Sequence, residues 1–216
     1  METTSTPDTS CASAATMIKD FYFKIFRSRT TFKKKTSKED DKRQFDALMS
    51  SLPPGIDIYT DGSSLTNPGP AGAGFYIKSA LNIQSIFKSV SLGEATNNDA
   101  GLCALHEAIH ILDNKIHLAP PHTPIYVFID STTTIKVGLG YTRSTSMPYK
   151  ANATVALLSK IAYYNPIYLI WCPAHIGIIG NEVADFLAKR GASDVTSMEC
   201  PPQAFLNSVN FDDAVT

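Results

Sequence analysis

Three aspartates, Asp61, Asp130 and Asp185, stand where a carboxylate can do chemistry. Asp61 closes the run Ile56-Asp57-Ile58-Tyr59-Thr60, whose alternation and β-branched content predict a buried strand, and Gly62-Ser63-Ser64 stop it. Asp130 closes Ile125-Tyr126-Val127-Phe128-Ile129, a continuous apolar run as expected of an interior parallel strand. A carboxylate at the end of a core strand lies half in the core and half in a cleft, where it can hold a cation. Asp185 belongs to a helix that follows the last apolar strand and can reach the same edge. Carboxylates that meet repel unless a divalent cation lies between them, and hard oxygen ligands suit Mg²⁺ or Mn²⁺. A pair of such ions activates a water and stabilises the leaving oxygen of a phosphodiester in an in-line displacement. Each aspartate also has a plainer role open to it. Asp61 can cap the Gly-Ser turn, Asp130 can N-cap the next helix, and Asp185 can pair with Lys189 one helical turn on.

The elements that must position these groups are legible in the hydrophobic period. After the first strand comes a turn-rich loop, Leu65-Thr66-Asn67-Pro68-Gly69-Pro70, and residues 71–79 and 82–92 then read as two further strands joined by short connections. That predicts an antiparallel meander. Residues 97–116 change to helical spacing through Leu102, Leu105, Ile109 and Leu112, with Thr96-Asn97-Asn98 as the cap. A strand over 124–129, a short helix over 131–137 and a helix over 150–164 closed by Pro166 follow. A strand over 167–171 and a helix over 181–190 ended by Gly191 complete the order. The expected fold is α/β: a mixed five-stranded sheet, three antiparallel strands and then parallel ones, with helices on both faces.

Bulk properties narrow the class. The 216 residues hold 19 Lys and Arg against 20 Asp and Glu, a net charge of −1, divided unevenly along the chain. Residues 1–50 carry ten basic and seven acidic side chains, and residues 51–216 carry nine and thirteen. The folded part is therefore at most a modest binder of nucleic acid by charge alone. Cys11, Cys103, Cys172 and Cys200 have neither disulfide-framework nor zinc spacing, which fits a reducing compartment. No apolar run has the length of a membrane span and the first residues lack a secretory pattern, so no membrane partner is expected and the location is intracellular, nucleus or cytoplasm. The division expected is a disordered tail at 1–16, a basic and aromatic linker at 17–54, one monomeric domain at 55–192 and a flexible tail at 193–216. Lys33, Lys34, Lys35 and Lys38, followed by Glu39, Asp40 and Asp41, read as a solvated charge run within that linker.

Four pieces together carry a resemblance: Tyr59-Thr60-Asp61-Gly62-Ser63, Thr96-Asn97-Asn98, Phe128-Ile129-Asp130-Ser131, and the stretch from Trp171-Cys172-Pro173-Ala174-His175 through Asn181-Glu182-Val183-Ala184-Asp185. In this order they resemble the motifs of type 1 ribonuclease H, and the last is most similar to those in non-LTR retrotransposon polyproteins. The resemblance implies a ribonuclease H-like fold and hydrolysis of the RNA strand of RNA/DNA hybrids with two Mg²⁺, for which Mn²⁺ can substitute. It makes Asp61, Asp130 and Asp185 metal ligands and His175 a mobile-loop residue for proton movement or product release. It sets Gly62, Ser63, Asn97 and Asn98 against the RNA strand, where 2′-hydroxyl contacts tell RNA from DNA. It also implies that the domain can be part of a larger reverse-transcriptase polyprotein.

One position departs from the family. Where members carry a fourth carboxylate, a glutamate in the first turn of the helix after Thr-Asn-Asn, this chain has Gly101. Asp99 and Glu107 lie about 200° and 240° around the helix from it, so neither replaces it, and Glu94 lies before the cap on a segment that nothing in the sequence places. The basic protrusion with which some members grip hybrids also has no counterpart. The expectation is impaired cleavage, stronger with Mn²⁺ than with Mg²⁺. The rival expectation is an inactive module that binds nucleic acid or a protein.

Overall fold

A computed structural model describes residues 37–193 except 79, 81 and 82. The expectations for 1–16, for the Lys33–Lys35 cluster and for residues beyond 193 lie outside the described residues.

The segment expected to be linker contains a helix, α1 (Lys38–Ser51). Ser37 caps it by accepting from the Asp40 amide at 3.1 Å, and Glu39, Asp40 and Asp41 occupy the first turn, where the helix dipole favours negative charge. The acidic run is therefore the first turn of a capped helix, with Glu39 still exposed to solvent. Phe45 is buried and packs edge-on against Phe128, with ring centroids 5.6 Å apart. Phe45→Ala is expected to lower the unfolding free energy by about 3 kcal/mol, as other buried aromatic truncations do. A urea midpoint equal to that of the unaltered protein would show α1 to lie outside the cooperative unit.

Then come β1 (Ile56–Ser64), β2 (Gly69–Ile77), β3 (Ile86–Ala95), α2 (Asn97–Lys115), β4 (Ile125–Ile129), α3 (Thr132–Gly138), α4 (Pro148–Ala162), β5 (Ile167–Trp171) and α5 (Ile179–Ala192). The sheet has five strands in the order β3-β2-β1-β4-β5. β1, β2 and β3 pair antiparallel, and β4 and β5 continue the sheet parallel to β1, as the sequence predicts. The third strand starts and ends later than its alternation suggests. Its end is held by the Gly69–Ala95 pairing and by the Ser64 hydroxyl, which donates to the Ala95 carbonyl at 3.0 Å. A bulge at Ala71/Gly72 absorbs the extra residue.

Both faces of the sheet are covered. Ile58, Phe75, Val127 and Leu169 pack with Leu105 and Ile109 of α2 and Leu158 of α4. On the opposite face Tyr59, Tyr76, Phe128 and Ile170 pack with Val183 and Leu187 of α5 and with Phe45 of α1. α5 lies close against β2, where a Cβ on Gly74 would stand 2.3 Å from the Ala184 carbonyl oxygen. That close approach fixes the helix bearing Asp185 over the strand next to the one bearing Asp61.

Candidate active site

Register does most of the positioning. β1 does not stop at Asp61 as its alternation suggests but runs on through Gly62, Ser63 and Ser64, which pair with β2. Its parallel pairing with β4 ends with Thr60 opposite Ile129, so Asp61, just past that pairing, and Asp130, just past β4, stand at the same rim. This rim, at the carboxyl ends of parallel strands, is where open α/β sheets bind ligands. Asp61 accepts a hydrogen bond from the Gly62 amide at 2.7 Å. Gly62 has no room for a side chain, since a Cβ there would stand 2.1 Å from the Gly101 nitrogen, so β1 runs directly against the first turn of α2. The Trp171 indole donates to the Asp130 carbonyl at 2.9 Å and pins the end of β4 from β5. Ser131, not Asp130, caps α3, its hydroxyl accepting from the Thr134 amide at 3.2 Å. Asp185 arrives from α5 and takes the Lys189 ammonium at 2.6 Å, so the pairing available to it from spacing alone is formed. Its carboxylate also lies near enough to Asp61 to raise that carboxyl.

Burial pushes the Asp61 carboxyl up to about 8, and the charges of Asp130 and Asp185 push the same way against the Gly62 hydrogen bond. Asp130 is raised as well, by burial first and then by Asp185, with His175 opposing. The Lys189 ammonium is raised by its hydrogen bond to Asp185. An acid whose folded value lies above its unfolded value of 3.8 holds its proton in the folded state while the unfolded chain has lost it. Without metal, stability should therefore fall as pH rises from about 4 through about 8, and Mg²⁺ at pH 8 should recover part of the loss. Melting curves in chelator across that range check this. A melting temperature that rises between pH 5 and pH 8 in chelator would contradict it.

His175 lies in the exposed turn before α5 with φ of 55°, a left-handed conformation uncommon for a non-glycine residue. A ring nitrogen of His175 and carboxylate oxygens of Glu182 and Asp185 all lie within 4.8 Å of one another. Glu182 has no role by sequence spacing, although it precedes Asp185 by three residues and so shares its helix face. A cavity of about 220 Å³ opens at the rim, lined by Asp61, Gly62, Asn97, Asn98, Gly101 and Asp130 among others. Ser63 is one residue further along β1 and outside that lining.

The gap at Gly101 is real in space. Asp99 is turned to Thr96, in a capping box, and to the Ser146 hydroxyl. Glu107 pairs with Lys150 at 3.6 Å, and Glu94 is exposed on β3. Next to the rim, a cleft of about 330 Å³ is lined by Asn98, Thr142, Arg143, Ser144 and Thr145 among others. The run Thr142-Arg143-Ser144-Thr145 is dense in donors, the one signal by which sequence reasoning could have singled it out.

Residues 53–193 match the RNase H family. The chain belongs to that family. A ribonuclease H of Aromatoleum aromaticum is 30% identical over 143 residues, covering 65% of this chain and 92% of that protein. Ribonuclease HI of Pasteurella multocida is 32% identical over 144 residues, with 65% and 92% covered. The RNase H1 of Halobacterium salinarum NRC-1 superposes with a TM-score of 0.51 at 24% identity, covering 65% of this chain and 98% of that one. LC11-RNase H1, solved in complex with an RNA/DNA hybrid, superposes with a TM-score of 0.50 at 22% identity, covering 62% and 97%. The five-stranded mixed sheet is thus a ribonuclease H fold. Within it, α1 begins before the stretch that matches the ribonuclease H family and supplies Phe45 to the core.

Proposed function

We propose that this ribonuclease H is an endonuclease that hydrolyses the RNA strand of RNA/DNA hybrids, using two Mg²⁺ or, in their place, Mn²⁺. The observation that carries the reading is the parallel register that sets Asp61 beside Asp130, with Asp185 close enough to act on both carboxyls. The donor set fits a divalent cation. Asp61 and Asp130 line one rim cavity, and Asp185, grouped more tightly with His175 and Glu182, still acts on both. Burial and mutual repulsion push the Asp61 carboxyl up to about 8, a strain that a hard cation relieves. Asp61, Asp130 and Asp185 would hold the ions. When bound there, such ions supply Lewis acidity to the scissile phosphodiester and a more acidic water.

The remaining work falls to the protein's own groups. Asp61, its carboxyl pushed up to about 8 by burial, would hold a cation in its ionised form. Trp171 keeps the Asp130 backbone still, and Lys189 orients Asp185 through one of its oxygens. His175, exposed and close to Glu182 and Asp185, moves a proton at the rim or eases the product away. Gly62, Asn97 and Asn98 face the cavity where ribose 2′-hydroxyls would lie, and the hydroxyls of Thr142, Ser144 and Thr145 with Arg143 suit backbone phosphate.

The pattern from His175 through Asp185 supports descent from a non-LTR retrotransposon, with the domain belonging to a longer reverse-transcriptase polyprotein. A reverse-transcriptase reading frame joined to this one in the genome is the expected finding. Gly101 favours a second reading, an inactive module that only binds hybrids or a protein partner. Incubation of the chain with end-labelled hybrid, single-stranded RNA and duplex DNA separates the two. Cleavage of the RNA in the hybrid alone, faster in Mn²⁺ than in Mg²⁺, is expected. Binding of the hybrid without any cut in either metal would establish the second reading.

A further inference from the structure

The rim cavity holds more than carboxylates. Its wall includes Thr60 and Thr134, each 1% exposed, and among the described residues neither Oγ1 has a hydrogen-bond partner. Burying an unpaired hydroxyl is costly, so two orphans lining one cavity point to a polar occupant. Thr134 Oγ1 stands 2.7 Å from where a Cβ on residue 101 would lie, while the next atoms, also of Thr134, are 3.8 Å away. The hydroxyl thus stands against the space that a side chain from position 101 would enter, in the cavity that Asp61 and Asp130 also line. The volume of about 220 Å³ exceeds the roughly 30 Å³ share of one water several-fold. Mg²⁺ keeps several of its own waters when bound through one or two carboxylates.

We propose that Thr134, together with Thr60, is a positioning residue that holds an ordered water where Gly101 leaves out a carboxylate, and that this water completes the shell of a divalent ion held by Asp61 and Asp130. The proposal rests on the metal-dependent reading above. A neutral water supplies a ligand oxygen without a fourth negative charge, so Asp61 and Asp130 repel one anion fewer. The cost is weaker attraction for the ion. The hydroxyls act through the water and touch neither ion nor substrate.

Calorimetric titration of Mn²⁺ into the full chain at pH 8, without nucleic acid, tests this. Thr134→Val keeps the shape and removes the hydroxyl, and it should weaken Mn²⁺ binding about tenfold, whereas Thr134→Ser should bind like the unaltered protein. Asp61→Asn should lose the site altogether. Unchanged affinity in Thr134→Val, or an equal loss in Thr134→Val and Thr134→Ser, would overturn the role of the hydroxyl while leaving the aspartates in place. Unchanged affinity in Asp61→Asn would instead overturn the metal-dependent reading on which it rests. Melting curves in chelator confirm that each variant is folded at the temperature of the titration.

Discussion

Asp61→Asn is expected to lower the rate of hybrid cleavage by about a thousandfold or more while making the metal-free protein more stable at pH 8. The two effects share one cause. Asp61 is held at the rim with its carboxyl pushed up to about 8 by burial and by Asp130 and Asp185, so its ionised form is disfavoured until a cation arrives. Asparagine keeps the shape and the Gly62 hydrogen bond but contributes no charge to a bound ion. A thousandfold loss corresponds to about 4 kcal/mol of transition-state stabilisation. The stability gain should be absent at pH 4, where Asp61 is protonated in the folded protein, and should grow toward pH 8. Single-turnover cleavage and melting curves at the two pH values read both effects. Loss of activity with a pH-independent change in melting temperature would separate catalysis from the electrostatics described above.

Gly101→Glu is expected to raise the cleavage rate in Mg²⁺ at least tenfold, and to do so fully only when Thr134 is shortened to alanine in the same protein. A carboxylate at 101 would supply the oxygen that the family carries there. Its Cβ, however, would stand 2.7 Å from Thr134 Oγ1, so the single variant must turn the threonine aside before the glutamate can settle. Thr134→Ala alone should lower the rate, because it removes the hydroxyl that holds the proposed water. Combined with Gly101→Glu it should raise it, a reversal of sign that independent sites do not produce. Replacing a helical glycine also contributes up to about 1 kcal/mol of stability, which the melting temperature would register. A double variant no faster than the unaltered protein would rule out the missing carboxylate as a limit on the rate.

The parts of the fold that sequence makes plain are those with one dominant physical signal. The apolar run before Asp130 and the alternation before Asp61 each read as a strand, and right-handed parallel crossovers leave little freedom in how they are arranged. The glycine and serines after Asp61 read as a stop, yet pairing with β2 carries the strand through Ser64. β5 matches its apolar run residue for residue, Ile167–Trp171. Where two signals compete, the weaker one is hidden. Ser37 through Asp41 satisfies both a solvated charge run and a capped helix start, and only the burial of Phe45 against Phe128 decides between them. The end of β3 depends on pairing with Gly69 and on the Ser64 hydroxyl, both remote in sequence from its alternation.

The site divides in the same way. The convergence of Asp61 and Asp130 follows from two parallel strands whose shared pairing stops one residue before each aspartate, and Asp185 follows from the motif around it. Thr60 and Thr134 carry no sequence signal as site residues, because one reads as an interior strand position and the other as a turn of a short helix. Their significance depends on a bare position at Gly101 in a different helix, and that juxtaposition exists only after folding. Glu182 is hidden for a similar reason, since its proximity to His175 is set by the turn that leads into α5.

The most direct measurement is a crystal soaked in Mn²⁺ and recorded at a wavelength where the metal scatters anomalously. The account predicts an anomalous peak within bonding distance of carboxylate oxygens from Asp61 and Asp130, with Asp185 reaching the same peak or a second one beside it. Anomalous density absent from the rim while the crystal binds Mn²⁺ elsewhere, or a peak held by only one of these aspartates, would contradict it.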